Sequence, residues 1–83
     1  MHSPATRATL EHCLAVVQDA DVDDELRTLA RTLLEHLLDM HDARRMRVSV
    51  LLLALDSLAL VPGLEDCVRQ LRATAARDAA PGG

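Results

Sequence analysis

The sequence predicts an all-α fold: a small bundle of four helices, or three if the second and third are continuous, assembled as a dimer. Two observations carry the helical reading. Apolar residues recur at three- and four-residue spacing along most of the chain, and no stretch alternates apolar and polar residues as a half-buried strand does. Residues that start and stop helices stand where that periodicity begins and fails, with Ser3–Pro4 at the first segment and Val61–Pro62–Gly63 before the last. A third observation carries the dimer: one helix holds more leucine than its neighbours can bury. Residues 1–83 read as one helical domain, with 1–3 and 78–83 as frayed ends.

The first helix takes Ser3 as N-cap and Pro4 as its first residue, and sets Leu10, Cys13, Leu14 and Val17 on one face before ending near Asp19. Five acids fall between Asp19 and Glu25. Asp21 or Asp23 can cap the second helix, and the other acids favour its positive end. That helix has an apolar stripe of Leu26, Leu29, Ala30, Leu33, Leu34, Leu37 and Met40, with a solvated face opposite. The stripe fades over 41–47, where Arg44, Arg45 and Arg47 suit a helix C-terminus. No Gly or Pro marks a turn there, so one long bent helix is the alternative to a break.

The third helix, about 49–60, is apolar around its whole circumference apart from Ser49, Asp56 and Ser57. Such a helix must be covered on all sides. After the Pro62–Gly63 stop, Leu64, Cys67, Val68, Leu71 and Ala75 form the stripe of the fourth helix, with Glu65 placed to pair with Arg69.

Composition narrows the function. The chain has 83 residues, with sixteen Leu, thirteen Ala and seven Val but no Phe, Tyr or Trp, so it lacks the side chains most used for base stacking and as interface anchors. All nine basic residues are Arg, and Lys, Asn and Ile are absent, a bias that GC-rich coding produces and that points to a bacterium or phage. A formal charge of −4 argues against nucleic acid, whose phosphates demand a basic footprint. The longest apolar run, Val48 to Val61, is interrupted and shorter than the roughly 20 residues of a membrane span. No signal peptide is visible at Met1–His2–Ser3–Pro4, so the expected location is the cytoplasm, with no membrane partner. A chain of this length buries only about 60–65% of its unfolded surface, which leaves little room for an enclosed catalytic cleft.

The residues that carry chemistry do not assemble into a recognisable site. His36 and His41 are five apart, about 140° around a helix, whereas ligands on one face stand three or four apart. Ser57 follows Asp56, but no Gly-x-Ser-x-Gly elbow surrounds it and no His follows in helices 3 and 4. Cys13 and Cys67 fall on apolar faces, where free thiols behave as small hydrophobes; a disulfide between them is the alternative. The three Gly all lie in the last quarter of the chain and form no phosphate-binding loop. The sequence therefore predicts no enzyme, no cofactor and no metal.

Two local stretches carry resemblances. Leu55–Asp56–Ser57–Leu58 resembles the Asp-Ser-Leu signature of acyl and peptidyl carrier proteins, which implies a phosphopantetheine arm on Ser57. Arg45–Met46–Arg47–Val48–Ser49–Val50, after a long amphipathic helix, is similar to the second loop of a histone fold, which implies a handshake dimer.

Three short neighbours with one-sided stripes cover only part of the third helix, and the remaining leucine surface has the character of an association site. A second copy is the commonest cover for such a surface. The expected function is a non-enzymatic interaction or assembly subunit, a homo-oligomer or an adaptor on a protein partner. The expected surface is Val50, Leu51, Leu52, Leu55, Leu58 and Leu60. Arg44, Arg45 and Arg47 are the candidate contact for an anion or an acidic partner; their duller role is a helix-end cluster balanced by Asp39 and Asp42.

Overall fold

Ser3 starts the first helix as its sequence predicts. Its hydroxyl accepts from the Thr6 N–H at 3.2 Å, satisfying one of the donors that a helix start leaves open, and Pro4 occupies the first turn, where an N–H is not needed. In a computed structural model, which describes residues 3–79, this helix is α1 (Pro4–Asp19) and is followed by α2 (Asp24–Asp42), α3 (Val48–Leu58) and α4 (Glu65–Ala79). The chain is an all-α bundle of four helices. Of the expected frayed ends, 1–2 and 80–83 lie outside the described residues. Ser3 is a cap, and the backbone of 78–79 continues α4.

The first connection is closed by an arginine from beyond it. Arg27, in the first turn of α2, donates through Nη2 to the Ala20 carbonyl at 2.7 Å and through Nη1 to Asp24 at 3.1 Å. One of the carbonyls left open at the end of α1 is thus met by a cation. Asp23 holds the N-cap position of α2 without a side-chain cap bond, and Asp24 and Glu25 supply negative charge to the first turn.

The break between α2 and α3 is real, and it is made without glycine. Arg44 takes the left-handed conformation at φ 57°, the Arg45 N–H donates to the Met40 carbonyl at 2.8 Å, and the Arg44 N–H donates to the His41 carbonyl at 3.0 Å. These are the two bonds of a Schellman motif, with arginine where glycine is usual. With arginine in that place, no Gly or Pro marks the turn in the sequence. Met46 is buried just beyond it.

The turn after α3 follows the sequence signal. The Leu64 N–H donates to the Val61 carbonyl at 3.3 Å across Pro62 and Gly63, and Gly63 has φ 92°, as the third residue of a type II turn requires. Glu65 does not reach Arg69. Its carboxylate accepts from the Gly63 N–H at 3.0 Å, while Arg69 pairs with Asp66 at 3.2 Å.

The helices form a ring. α1 lies between α2 and α4, α4 also packs on α3, and α2 and α3 touch only marginally. The core at the centre is built from Leu10 and Val17 of α1, Leu34 of α2, Leu51 and Leu55 of α3 and Leu71 of α4, all fully buried. Polar clasps reinforce two of the seams. Arg7 grips Asp42 with two hydrogen bonds, Nε to Oδ1 at 2.9 Å and Nη2 to Oδ2 at 3.0 Å, and buried His41 meets the Ser3 carbonyl through Nε2 at 3.0 Å, so α1 and α2 are joined at one end. Arg72 joins α4 to α3 through Asp56 at 2.7 Å.

This arrangement changes the expected place of α3. The helix runs Val48–Leu58, shorter at its end than expected, and it sits on the rim of the ring with α1 as the more central element. Leu51, Ala54, Leu55 and Leu58 face inward, while Leu52, Leu53 and, just past the helix, Leu60 stay exposed. The apolar circumference of α3 is therefore half covered.

Candidate interaction surface

The weak α2–α3 seam leaves a groove. Its floor and walls come from Leu26, Leu29, Ala30 and Leu33 of α2 and from Leu58, Leu60 and Val61 at the end of α3, with Thr32, His36 and Ser57 at the rim, and its volume is about 580 Å³. Leu29 is 67% exposed and Leu60 is 81% exposed. Leu53, 70% exposed, lies seven residues before Leu60 and extends the apolar surface along the outside of α3.

The groove exists because the stripe of α2 divides in two. Its inward line is Ala30, Leu34, Leu37 and His41, all buried. A second line, Leu26, Leu29, Leu33, His36 and Met40, runs beside it at alternating three- and four-residue spacing. That spacing is the seam pattern of helices that pack on another helix. One neighbour, α1, covers the first line, and α3 diverges from the second, so Leu26 and Leu33 are half-buried and Leu29 stands out.

Of the six leucine and valine residues expected on the surface, Leu51, Leu55 and Leu58 are fully buried, so they form core rather than an open patch, although Leu58 contributes to the groove floor. Val50 is half-buried, Leu52 is 38% exposed, and Leu60 is the most exposed of the six. Periodicity alone could not separate them, because every face of α3 is apolar. Leu26, Leu29, Leu33 and Leu53 were not expected on the surface. The signal for the first three was present in the sequence: a stripe spanning both the 30–34–37 line and the 26–29–33 line is wider than one helix can cover.

Arg44, Arg45 and Arg47 are exposed at the end of α2 and in the loop after it, and none of the ion pairs among the described residues uses them. Asp42, the expected balance for this cluster, is engaged by Arg7 instead, and that guanidinium holds its carboxyl below the usual carboxylate range. Asp39 is exposed. At the other end of α2, Asp21, Asp23 and Glu25 are likewise exposed and outside those ion pairs, and Glu25 borders a shallow hollow that shares Leu29 with the groove. The seam therefore has an acidic end and a basic end.

Chemistry-bearing residues stay dispersed. Ser57 is exposed one residue before the end of α3, whereas the serine of the carrier proteins that its neighbours resemble stands at a helix N-terminus. Cys13 and Cys67 are free and buried, and burial pushes the Cys13 thiol up, with nearby Cys67 adding to the shift. No group of three His, Cys, Asp or Glu side chains is placed to hold a metal ion among the described residues. A second hollow, between α1 and the Pro62–Gly63 turn, contains His12, Asp19 and Asp21 on an open surface. Among the described residues no helix is long and apolar enough to cross a membrane.

Comparison with protein-family models, curated proteins and solved structures finds no match to this chain. The surface has to be read from its own chemistry.

Proposed function

We propose that this chain is a non-enzymatic interaction or assembly subunit that associates through the open α2–α3 seam. One observation carries the reading: Leu29 of α2 and Leu60 at the end of α3, 67% and 81% exposed, line a groove whose floor is apolar, and Leu53, 70% exposed, adds to the open leucine surface of α3. Burying a leucine side chain contributes about 1.5–3 kcal/mol, so a chain with a small core gains substantially when these residues are covered. An apolar cleft with few convergent polar groups suits a helix better than a polar substrate. The surface is thus shifted from the 50–60 segment alone to α2 together with the end of α3.

The test is purification from the native host under gentle conditions, comparing the wild-type chain with Leu29→Glu and Leu60→Glu. Both positions are exposed, so both variants retain their helicity and melting. The wild type elutes in an assembly larger than its own 9.0 kDa and each variant loses it. An assembly that survives both substitutions refutes the seam as the interface.

A further inference from the structure

The partner that best fits the seam is a second copy of the chain. We propose that α2 pairs with α2 of a second copy, antiparallel, about a two-fold axis at Leu33; this rests on the seam being the interaction surface.

Beside its buried line, α2 carries a second, partly exposed one. Leu26, Leu29, Leu33, His36 and Met40 repeat at the spacing by which one helix seats on another, and Leu33 stands at the midpoint of Asp24–Asp42. Laid antiparallel on itself about that point, the line is self-complementary: Leu26 of one copy meets Met40 of the other, and Leu33 meets Leu33. A two-fold contact of this kind uses the same patch on both chains and closes at two copies.

Charge selects the direction. The 19 residues of α2 span about 28 Å, with Asp21, Asp23 and Glu25 at one end and Arg44, Arg45 and Arg47 at the other. All six are exposed and outside the ion pairs among the described residues. A parallel pairing sets acid against acid and arginine against arginine. An antiparallel pairing sets each acidic end beside the arginines of the other copy, twice, once at each end of the interface. The exposed Leu60 of each chain then flanks the partner's α2, enlarging the apolar contact. Both the arginine cluster and the acidic run, which the isolated chain leaves outside its ion pairs, acquire a role.

Sedimentation of the purified chain over a wide concentration range is the first measurement, and the expected result is a species of twice the 9.0 kDa chain mass whose dissociation rises with salt. Leu29→Glu and Leu60→Glu, each confirmed as folded by circular dichroism, weaken it by roughly thirtyfold or more. The direction is tested with two charge-reversed chains, D21R/D23R and R45E/R47E. Each alone carries the same sign at both ends of α2 and sediments as a monomer, and an equimolar mixture recovers the doubled mass. Leu33→Cys, at the axis, forms a disulfide-linked dimer on mild oxidation, whereas the wild type, whose two cysteines are buried, does not.

A chain that stays monomeric at every concentration overturns the inference, and the reading of the seam then depends on the native-host experiment alone. A dimer that the Leu29 and Leu60 variants abolish but the mixed charge-reversed chains fail to restore overturns the antiparallel pairing while keeping the seam as an interface. A dimer indifferent to Leu29→Glu and Leu60→Glu overturns both.

Discussion

Leu10 and Leu29 are the same residue type on adjoining helices, and the fold uses them in opposite ways. Leu10, on α1, the helix that packs on both α2 and α4, is fully buried; Leu29, on the α2–α3 side, is 67% exposed. The closed side also has the polar clasps of Arg7 with Asp42 and of His41 with the Ser3 carbonyl. What separates the two regions is how closely the neighbouring helices approach. α1 is flanked on two sides by helices that follow its length, whereas α2 and α3 close the ring only loosely. The two leucines are equally apolar, and their coverage is not.

The largest effect should come from the closed side. Leu10→Ala leaves a cavity at a fully packed site and lowers stability by about 2–5 kcal/mol, whereas Leu29→Ala, measured by denaturation at a concentration low enough to keep chains apart, changes it by no more than about 0.5 kcal/mol. Equal losses at the two positions would mean that the α2–α3 side is as tightly packed as the other.

Next come the two turns that hold α3 on the open side, where the expected signs are opposite. At Gly63, with φ 92°, a Cβ would meet only the Ala20 Cβ at 3.8 Å, so Gly63→Ala is opposed by backbone strain rather than by crowding. Its expected cost is about 1–2 kcal/mol. Arg44→Gly relieves a left-handed arginine, offset partly by the greater freedom of glycine in the unfolded chain, and raises stability by about 0.5–1 kcal/mol. A lower melting temperature for Arg44→Gly would show that the arginine side chain contributes more than its backbone costs.

The effects that are smallest at neutral pH are those of titration, and both concern the closed side. Burial keeps the Cys13 thiol protonated in the folded chain above its ordinary value of 9.0, whereas the unfolded chain releases the proton there. The unfolded state then binds fewer protons, and stability falls as pH rises past about 9. Cys13→Ala should flatten that decline in a melting series. Asp42 works in the other direction: Arg7 lowers its pKa in the folded state, so its contribution is complete above the ordinary carboxylate range and is lost as pH falls through the lowered value. Asp42→Asn should remove that part of the acid sensitivity, with a slight effect because the pair faces solvent.

Much of the fold was legible because it rests on local signals. Ser3–Pro4 and Pro62–Gly63 act through neighbouring backbone atoms, and the lines through Leu10–Cys13–Val17 and Leu64–Cys67–Leu71 each bury one face. The end of α2 was less legible. Its turn places an arginine in a conformation that favours glycine, and so leaves no residue signature. The surface was legible only in kind. An excess of leucine announces that some apolar surface stays open, but which leucines remain outside depends on where the neighbouring helices lie, and Leu55 and Leu53 differ in burial while being indistinguishable in sequence.

By itself, then, the sequence determined that this chain is helical, where most of its helices begin and end, and that it has more aliphatic surface than one small core needs, because capping, turn chemistry and periodicity act over a few residues. The tertiary structure alone decided that α1 is central, that α3 is at the rim, and that the uncovered surface follows the second line of α2 and the end of α3. That decision depends on which pairs of helices run close together, a relation between segments far apart in the chain that no local pattern encodes.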